Sequence, residues 1–120
     1  MRFIYLFVLS LSITCCQEFD NNKFNLKSYA NKINNELKGV DAGGGFIIES
    51  VIGVNNTLTY IYSIPIGSEN KILSKNELLE SLQNTGYNKD FKKMGINLQY
   101  LYKTTDGVTV RLIEIWNNEL

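Results

Sequence analysis

Few residues in this chain have the capacity for chemistry. Cys15 and Cys16 stand side by side, the carboxylates Asp41, Glu49, Asp90 and Glu114 are spread along the sequence, and three consecutive glycines follow Asp41 in the run VDAGGG. Adjacent thiolates could hold a metal or form a disulfide, a carboxylate beside a phenol could move a proton, and a glycine-rich turn could cradle phosphate. The pattern points away from each. A disulfide between sequence neighbours would strain the backbone and close no useful loop. Histidine is absent from the 120 residues, which removes the commonest general base and the commonest zinc ligand. The glycines lack the spacing and the trailing Gly-Lys-Ser/Thr of a phosphate loop, and no dinucleotide-binding spacing occurs, so VDAGGG reads as a turn between a helix and a strand. The four carboxylates are not brought together by the pattern, and the reading is a protein that is not an enzyme and takes neither cofactor nor metal. Twelve basic residues balance twelve acidic ones, which leaves no excess with which to neutralise nucleic-acid phosphates.

The two cysteines make sense as the end of a processed segment. Met1-Arg2 gives a positive start, and Phe3 to Thr14 is an apolar run with the charge order of a secretory signal, too short to span a bilayer, which takes roughly 20 apolar residues. The run Ile13-Thr14-Cys15-Cys16, with Cys15 in the small-residue position, resembles the lipobox of a bacterial lipoprotein signal peptide. That resemblance implies a signal peptide over residues 1–15, lipid attachment at Cys16, a polar tether over 16–25 and one domain over 26–120. An ordinary secretory signal cleaved nearby would leave a free thiol instead. A diacylglyceryl cysteine would anchor the domain to a membrane, because two acyl chains give the stable binding that one does not. Residue 17 is not Asp, and by that resemblance the outer membrane is favoured over the inner; QEFD is similar to the export tag of some surface-exposed Bacteroidetes lipoproteins.

After the tether, local signals place six main elements. Leu26, Tyr29, Ala30, Ile33 and Leu37 recur at helical spacing, with Asn25 as N-cap and Gly39 as the stop of a helix over 26–38. FIIESVIGV and TLTYIYSIPI are strands joined by Asn55-Asn56, and pairing Val54 with Thr57 gathers Ile47, Val51, Leu58, Tyr60, Tyr62 and Ile64 on one face, with Glu49 opposite Tyr62. Ser74 and Glu77 have capping-box spacing and open a second helix at Lys75 running to about Asn84, followed by a short helical turn from Asn88 to Met94. KDFKK within that turn reads as a solvated charge run. Asp106-Gly107 turns a second hairpin whose pairing of Thr105 with Val108 collects Leu98, Tyr100, Tyr102, Ile113 and Ile115.

The result is an α+β fold of order α-β-β-α-β-β, a four-stranded, mainly antiparallel sheet with helices on the tyrosine face. Leu58-x-Tyr60-x-Tyr62 and Leu98-x-Tyr100-x-Tyr102 echo each other, in the second strand of one hairpin and the first strand of the other. This order and these strands are similar to small bacterial envelope proteins of unknown function. The other face carries Phe46, Ile48, Ile52, Val54, Ile61, Leu101, Val108, Val110, Leu112 and Trp116, more apolar than a freely solvated sheet face, and it is the candidate protein-binding surface, centred on Ile48, Ile61, Leu101 and Leu112. The function expected is a membrane-anchored, non-catalytic binding or assembly module of the cell envelope, whose partner is another protein or a second copy. An envelope-located immunity or inhibitor protein that blocks a toxin or hydrolase is the alternative. Cys16→Ser is expected to release the protein from the membrane fraction and to abolish labelling by a fatty-acid probe; loss of labelling in Cys15→Ser but not Cys16→Ser would move the site by one residue.

Overall fold

The computed structural model describes residues 25–120, so the signal peptide, Cys15, Cys16 and nearly all of the tether lie outside the described residues. The order is α1 (Leu26–Leu37), β1 (Ile47–Val54), β2 (Thr57–Ile64), α2 (Lys75–Thr85), α3 (Tyr87–Met94), β3 (Asn97–Thr104) and β4 (Thr109–Ile115), with 3-10 turns at Glu69–Lys71 and Asn117–Glu119. This is the α+β arrangement expected, and its helix ends have the chemistry read from sequence. Asn25 Oδ1 accepts from the Ser28 amide, and Ser74 and Glu77 close a reciprocal capping box, each satisfying amides that the first turn cannot use. The turn read as Asn88 to Met94 is a helix beginning one residue earlier, between Gly86 and Gly95 in left-handed conformation.

The sheet order is β1-β2-β3-β4. Both outer pairs are antiparallel hairpins, and the central pair, β2 with β3, is parallel. A parallel pair needs a crossover, and residues 65–96, containing α2 and α3, provide it. In that pair Leu58 sits beside Leu98, Tyr60 beside Tyr100 and Tyr62 beside Tyr102. The two Leu-x-Tyr-x-Tyr strands are therefore neighbours in register. Their rings stack, Tyr60 on Tyr100 at 5.5 Å between centroids and Tyr62 on Tyr102 at 5.0 Å. All four tyrosines are buried, together with Ile33 and Leu37 of α1, Leu78 and Leu82 of α2, and Phe91 of α3, so the helices lie on the tyrosine face around one core.

The first hairpin has the expected register at its turn, with Val54 opposite Thr57 and Asn55 at φ 54°. It then departs from expectation at Glu49. The register shifts between Ile48 and Ser50, so Glu49 sits in a β-bulge and Ile48, not Glu49, lies opposite Tyr62. Because strand faces alternate with a period of two, one extra residue exchanges the faces of everything before it. Phe46 and Ile48 accordingly enter the core, both fully buried, while Ile47, expected there, lies outside it. The second hairpin follows the expected register from Leu98–Ile115 to Tyr102–Arg111, then shifts so that Lys103 pairs with Thr109. Val110, expected on the outer face, is partly buried against the core.

The free side of β1 is sealed. Ile48 donates to Val40 O at 3.0 Å and accepts from the Gly39 amide at 2.7 Å, and the Val51 amide donates to Asn34 Oδ1 at 2.8 Å. Two residues on, Gly53 lets α1 rest on the strand: a Cβ at this position would lie 2.8 Å from Leu26 O and 2.9 Å from Leu26 Cγ. In a strand without such a contact, Gly→Ala stabilises by roughly 0.4–1 kcal/mol through the unfolded chain. Here the sign should reverse. Gly53→Ala is expected to cost about 1–3 kcal/mol, in the range of overpacked cores, read as a lower urea midpoint with an unchanged slope.

Candidate functional site

The face of the sheet that none of the described helices covers is organised in rows across the strands. The register aligns Ile61 with Leu101 and Leu101 with Leu112, three apolar side chains in one line. On one side of it the Thr59 hydroxyl donates to Gln99 Oε1 and Gln99 Nε2 donates to Glu114 Oε2, both at 2.9 Å, a hydrogen-bonded polar row. On the other side Lys103 forms an ion pair with Glu49 at 3.0 Å. Ile61 and Leu101 are half-buried by their neighbours, whereas Leu112 is 49% exposed. Ile52, Val54 and Trp116 are also exposed, at 42, 59 and 52%, toward the end of the sheet where β2 and β3 begin.

Of the four residues on which the candidate surface was centred, Ile61, Leu101 and Leu112 lie together on this open face. Ile48 does not. The bulge turns it into the core, where it belongs to the packing beneath Tyr62. Ile52 extends the polar row beyond Thr59 and Trp116 lies on the far side of that row, beside Asn97 and Gln99; sequence periodicity placed both on this side of the sheet.

The residues that could have done acid–base work are kept apart by separate partners. Glu49 holds Lys103, Glu114 accepts from Gln99, and Asp41 Oδ1 takes the Gly43 amide at 2.7 Å. Asp90 lies in the first turn of α3. The bulge carries Glu49 to the open face, where it meets Lys103, while Arg111 stays opposite Tyr102. In the VDAGGG turn the Phe46 amide donates to Gly43 O and the Ala42 amide to Phe46 O, so these groups close the turn itself. No group of three or more metal-ligating side chains occurs among the described residues. No helix among them is long and apolar enough to cross a membrane.

The C-terminal tail braces one end of the face. Asn117 donates from Nδ2 to Ile96 O at 2.9 Å and from its amide to Asn97 Oδ1 at 2.8 Å, which holds the residue after Trp116 against the start of β3. Lys75 of α2 meets Glu119 at 2.7 Å, and this contact, with the Trp116 amide, keeps the Glu119 carboxyl below the usual range.

No family model matches the chain, and no curated protein resembles it closely enough to count. Three solved bacterial structures share its fold. The pilotin EpsS of the Vibrio vulnificus type 2 secretion system is 10% identical with a TM-score of 0.56, over 78% of this chain and 86% of its own. The type II secretion system pilotin AspS of Vibrio cholerae is 15% identical with a TM-score of 0.55, over 79 and 88%. A candidate secreted protein from Pseudomonas aeruginosa is 16% identical with a TM-score of 0.62, over 78 and 91%. The likeness is one of fold, and covers nearly the full length of each neighbour.

Beneath the open face, the Tyr100 hydroxyl is buried with no hydrogen-bond partner among the described residues. Burial, reinforced by Tyr60 and Tyr102, pushes its ionisation well above the ordinary phenol range. A folded-state value above the unfolded one, about 10, stabilises the fold below pH 10 and is lost as pH climbs from there towards the folded value. Tyr100→Phe keeps the ring and removes the unsatisfied group, so it is expected to raise stability by about 1 kcal/mol at pH 7 and to soften the loss of stability above about pH 10, both measured by urea unfolding.

Proposed function

We propose that this chain is a small, membrane-anchored bacterial lipoprotein that works as a non-catalytic binding or assembly module in the cell envelope, with the open sheet face as its docking surface. The observation that carries this reading is the Ile61–Leu101–Leu112 row, an apolar line bordered by hydrogen-bonded and ion-paired side chains, on a face that none of the described helices covers. Flanking polar groups already satisfied by one another leave the apolar centre as the place where burial yields free energy, about 25 cal/mol for each Å² removed from water. The assembly role is carried over from the fold: two of its solved examples are named as pilotins of type II secretion systems. Anchoring through Cys16 rests on the lipobox resemblance, and it supplies the address that such a module needs.

The test changes Ile61 and Leu101 together to Thr in the full chain and follows a partner crosslinked in intact membranes and identified by mass spectrometry. The expected outcome is loss of that partner with a melting temperature within a few degrees of the parent. A collapse in stability, or an undiminished crosslink, overturns the docking role of this face. Capture of a toxin or hydrolase in place of an envelope component would favour the immunity or inhibitor reading.

A further inference from the structure

The two edges of the sheet are unlike. On β1 the outward amides of Ile48 and Val51 are paired with Val40 and Asn34. On β4 the outward groups of Leu112 and Glu114 have no backbone partner among the described residues. The direction of these groups follows from the hydrogen bonds that bracket β3. The Asn97 amide donates to Asn56 O and the Thr105 amide to Ile64 O, so the odd-numbered residues of β3 face β2, and the Thr104 amide, donating to Val108 O, shows the even-numbered ones facing β4. Leu98, Tyr100 and Tyr102 thus exchange hydrogen bonds with Ile115, Ile113 and Arg111. Leu112 and Glu114, between them, aim N–H and C=O away from the sheet, with no backbone partner among the described residues.

An unpaired edge is a template for another strand, and proteins usually guard it with proline, lysine, a covering segment or a bulge. Thr109–Ile115 contains no Pro, Gly or Lys. Its bulge falls at the turn end, opposite Tyr102 and Lys103 of β3, and leaves Arg111 to Ile115 regular. Glu114, the one acid on the strand, is drawn over β3 by Gln99 and does not guard the edge. Of the six large exposed hydrophobic residues among those described, three, Val108, Leu112 and Trp116, lie on or immediately beside this strand.

We propose that β4 pairs antiparallel with β4 of a second copy, about a two-fold axis between the two Leu112 residues, to make one continuous eight-stranded sheet. Self-complementarity selects both the occupant and the register. Centring the pair on Arg111 or on Glu114 sets like charges opposite each other, and centring it on Ile113 sets Leu112 beside a carboxylate. Centring on Leu112 joins the apolar row of one copy to that of the other, so that Ile61, Leu101 and Leu112 of each form a single line of six across the dimer. The outward N–H and C=O of each Leu112 satisfy those of the other, as an isologous contact requires. The pairing is independent of what the open face binds, and it doubles the length of apolar surface that face presents.

The test is made on the full chain, by sedimentation from about 1 to 500 μM together with hydrogen exchange of individual amides. Dimerisation should slow exchange at the Leu112 amide at least ten-fold between the dilute and concentrated ends, with no such change at Val51. Leu112→Lys, which sets like charges across the axis, should weaken association at least ten-fold with circular dichroism unchanged. Fast, concentration-independent exchange at Leu112 overturns the proposal, whatever the mass, because association elsewhere on the chain leaves this amide free. A dimer undisturbed by Leu112→Lys overturns it equally. Should that variant fail to fold, exchange in the parent chain alone decides. Loss of the membrane partner in the Ile61/Leu101 variant with the dimer intact would separate the two surfaces.

Discussion

The fold depends on the parallel contact between β2 and β3. Two strands of the same Leu-x-Tyr-x-Tyr pattern lie side by side in register, and their four large rings form two buried stacks at the centre of the sheet. Stacked aromatic pairs contribute beyond their buried area, and here they are also the widest side chains over which the helices must close. Parallel pairing requires that the chain leave the end of β2 and return to the end where β2 began, so α2 and α3 are obliged to cross one face. With α1 on the same side, none of the described helices covers the opposite face. The candidate surface is a topological consequence of the tyrosine contact.

The same constraint sorts the edges. With the parallel pair in the middle, each hairpin contributes one outer strand. The loop after α1 and the Asn34 side chain reach β1 because α1 is fastened there through Gly53, where two backbones approach without an intervening Cβ. At β4 the nearest elements are α2 and the C-terminal turn, which are occupied with each other through Lys75 and Glu119 and with the start of β3 through Asn117. Polar groups at that end are spent on holding the tail, and none of them reaches over the strand.

What could be read from sequence was whatever is decided locally. Helix ends followed from Asn25, Ser74 and Glu77, whose side chains satisfy amides within the same turn, and hairpin turns followed from Asn55-Asn56 and Asp106-Gly107. Alternation placed Ile61, Leu101 and Leu112 on the open face because β2 and β3 are regular along their whole length and β4 is regular from Arg111 onward. The bulge at Glu49 was not legible. Nothing in FIIESVIGV marks the position of an extra residue, which is fixed by tertiary contacts: the need to bury Phe46 and Ile48, and the partners that Val40 and Asn34 offer to Ile48 and Val51. Side-by-side tyrosine strands were visible as an echo, yet strand order is set by contacts about forty residues apart, and periodicity within each strand is silent about them.

The described chain enters the domain at one end of the sheet, which bears on how a copy tethered through the proposed N-terminal anchor would stand. Asn25 lies beside Gly53, Asn55, Asn56 and Ile96, at the end of the sheet where β2 and β3 begin, and the Asn117–Glu119 turn is held at that same end. The Asp106-Gly107 turn, Pro65 and the triple-glycine loop are at the other, eight strand residues away, roughly 26 Å at 3.3 Å per residue. A domain held from its N-terminal side would therefore stand like a paddle on its handle, with strands rising from the surface, the apolar row running parallel to that surface and the β4 edge turned sideways. Two copies standing this way on one leaflet would run their β4 strands in the same direction, so an antiparallel β4 pair joins copies held in opposite senses, with their tethered ends at opposite ends of the shared sheet, as on two surfaces that face each other.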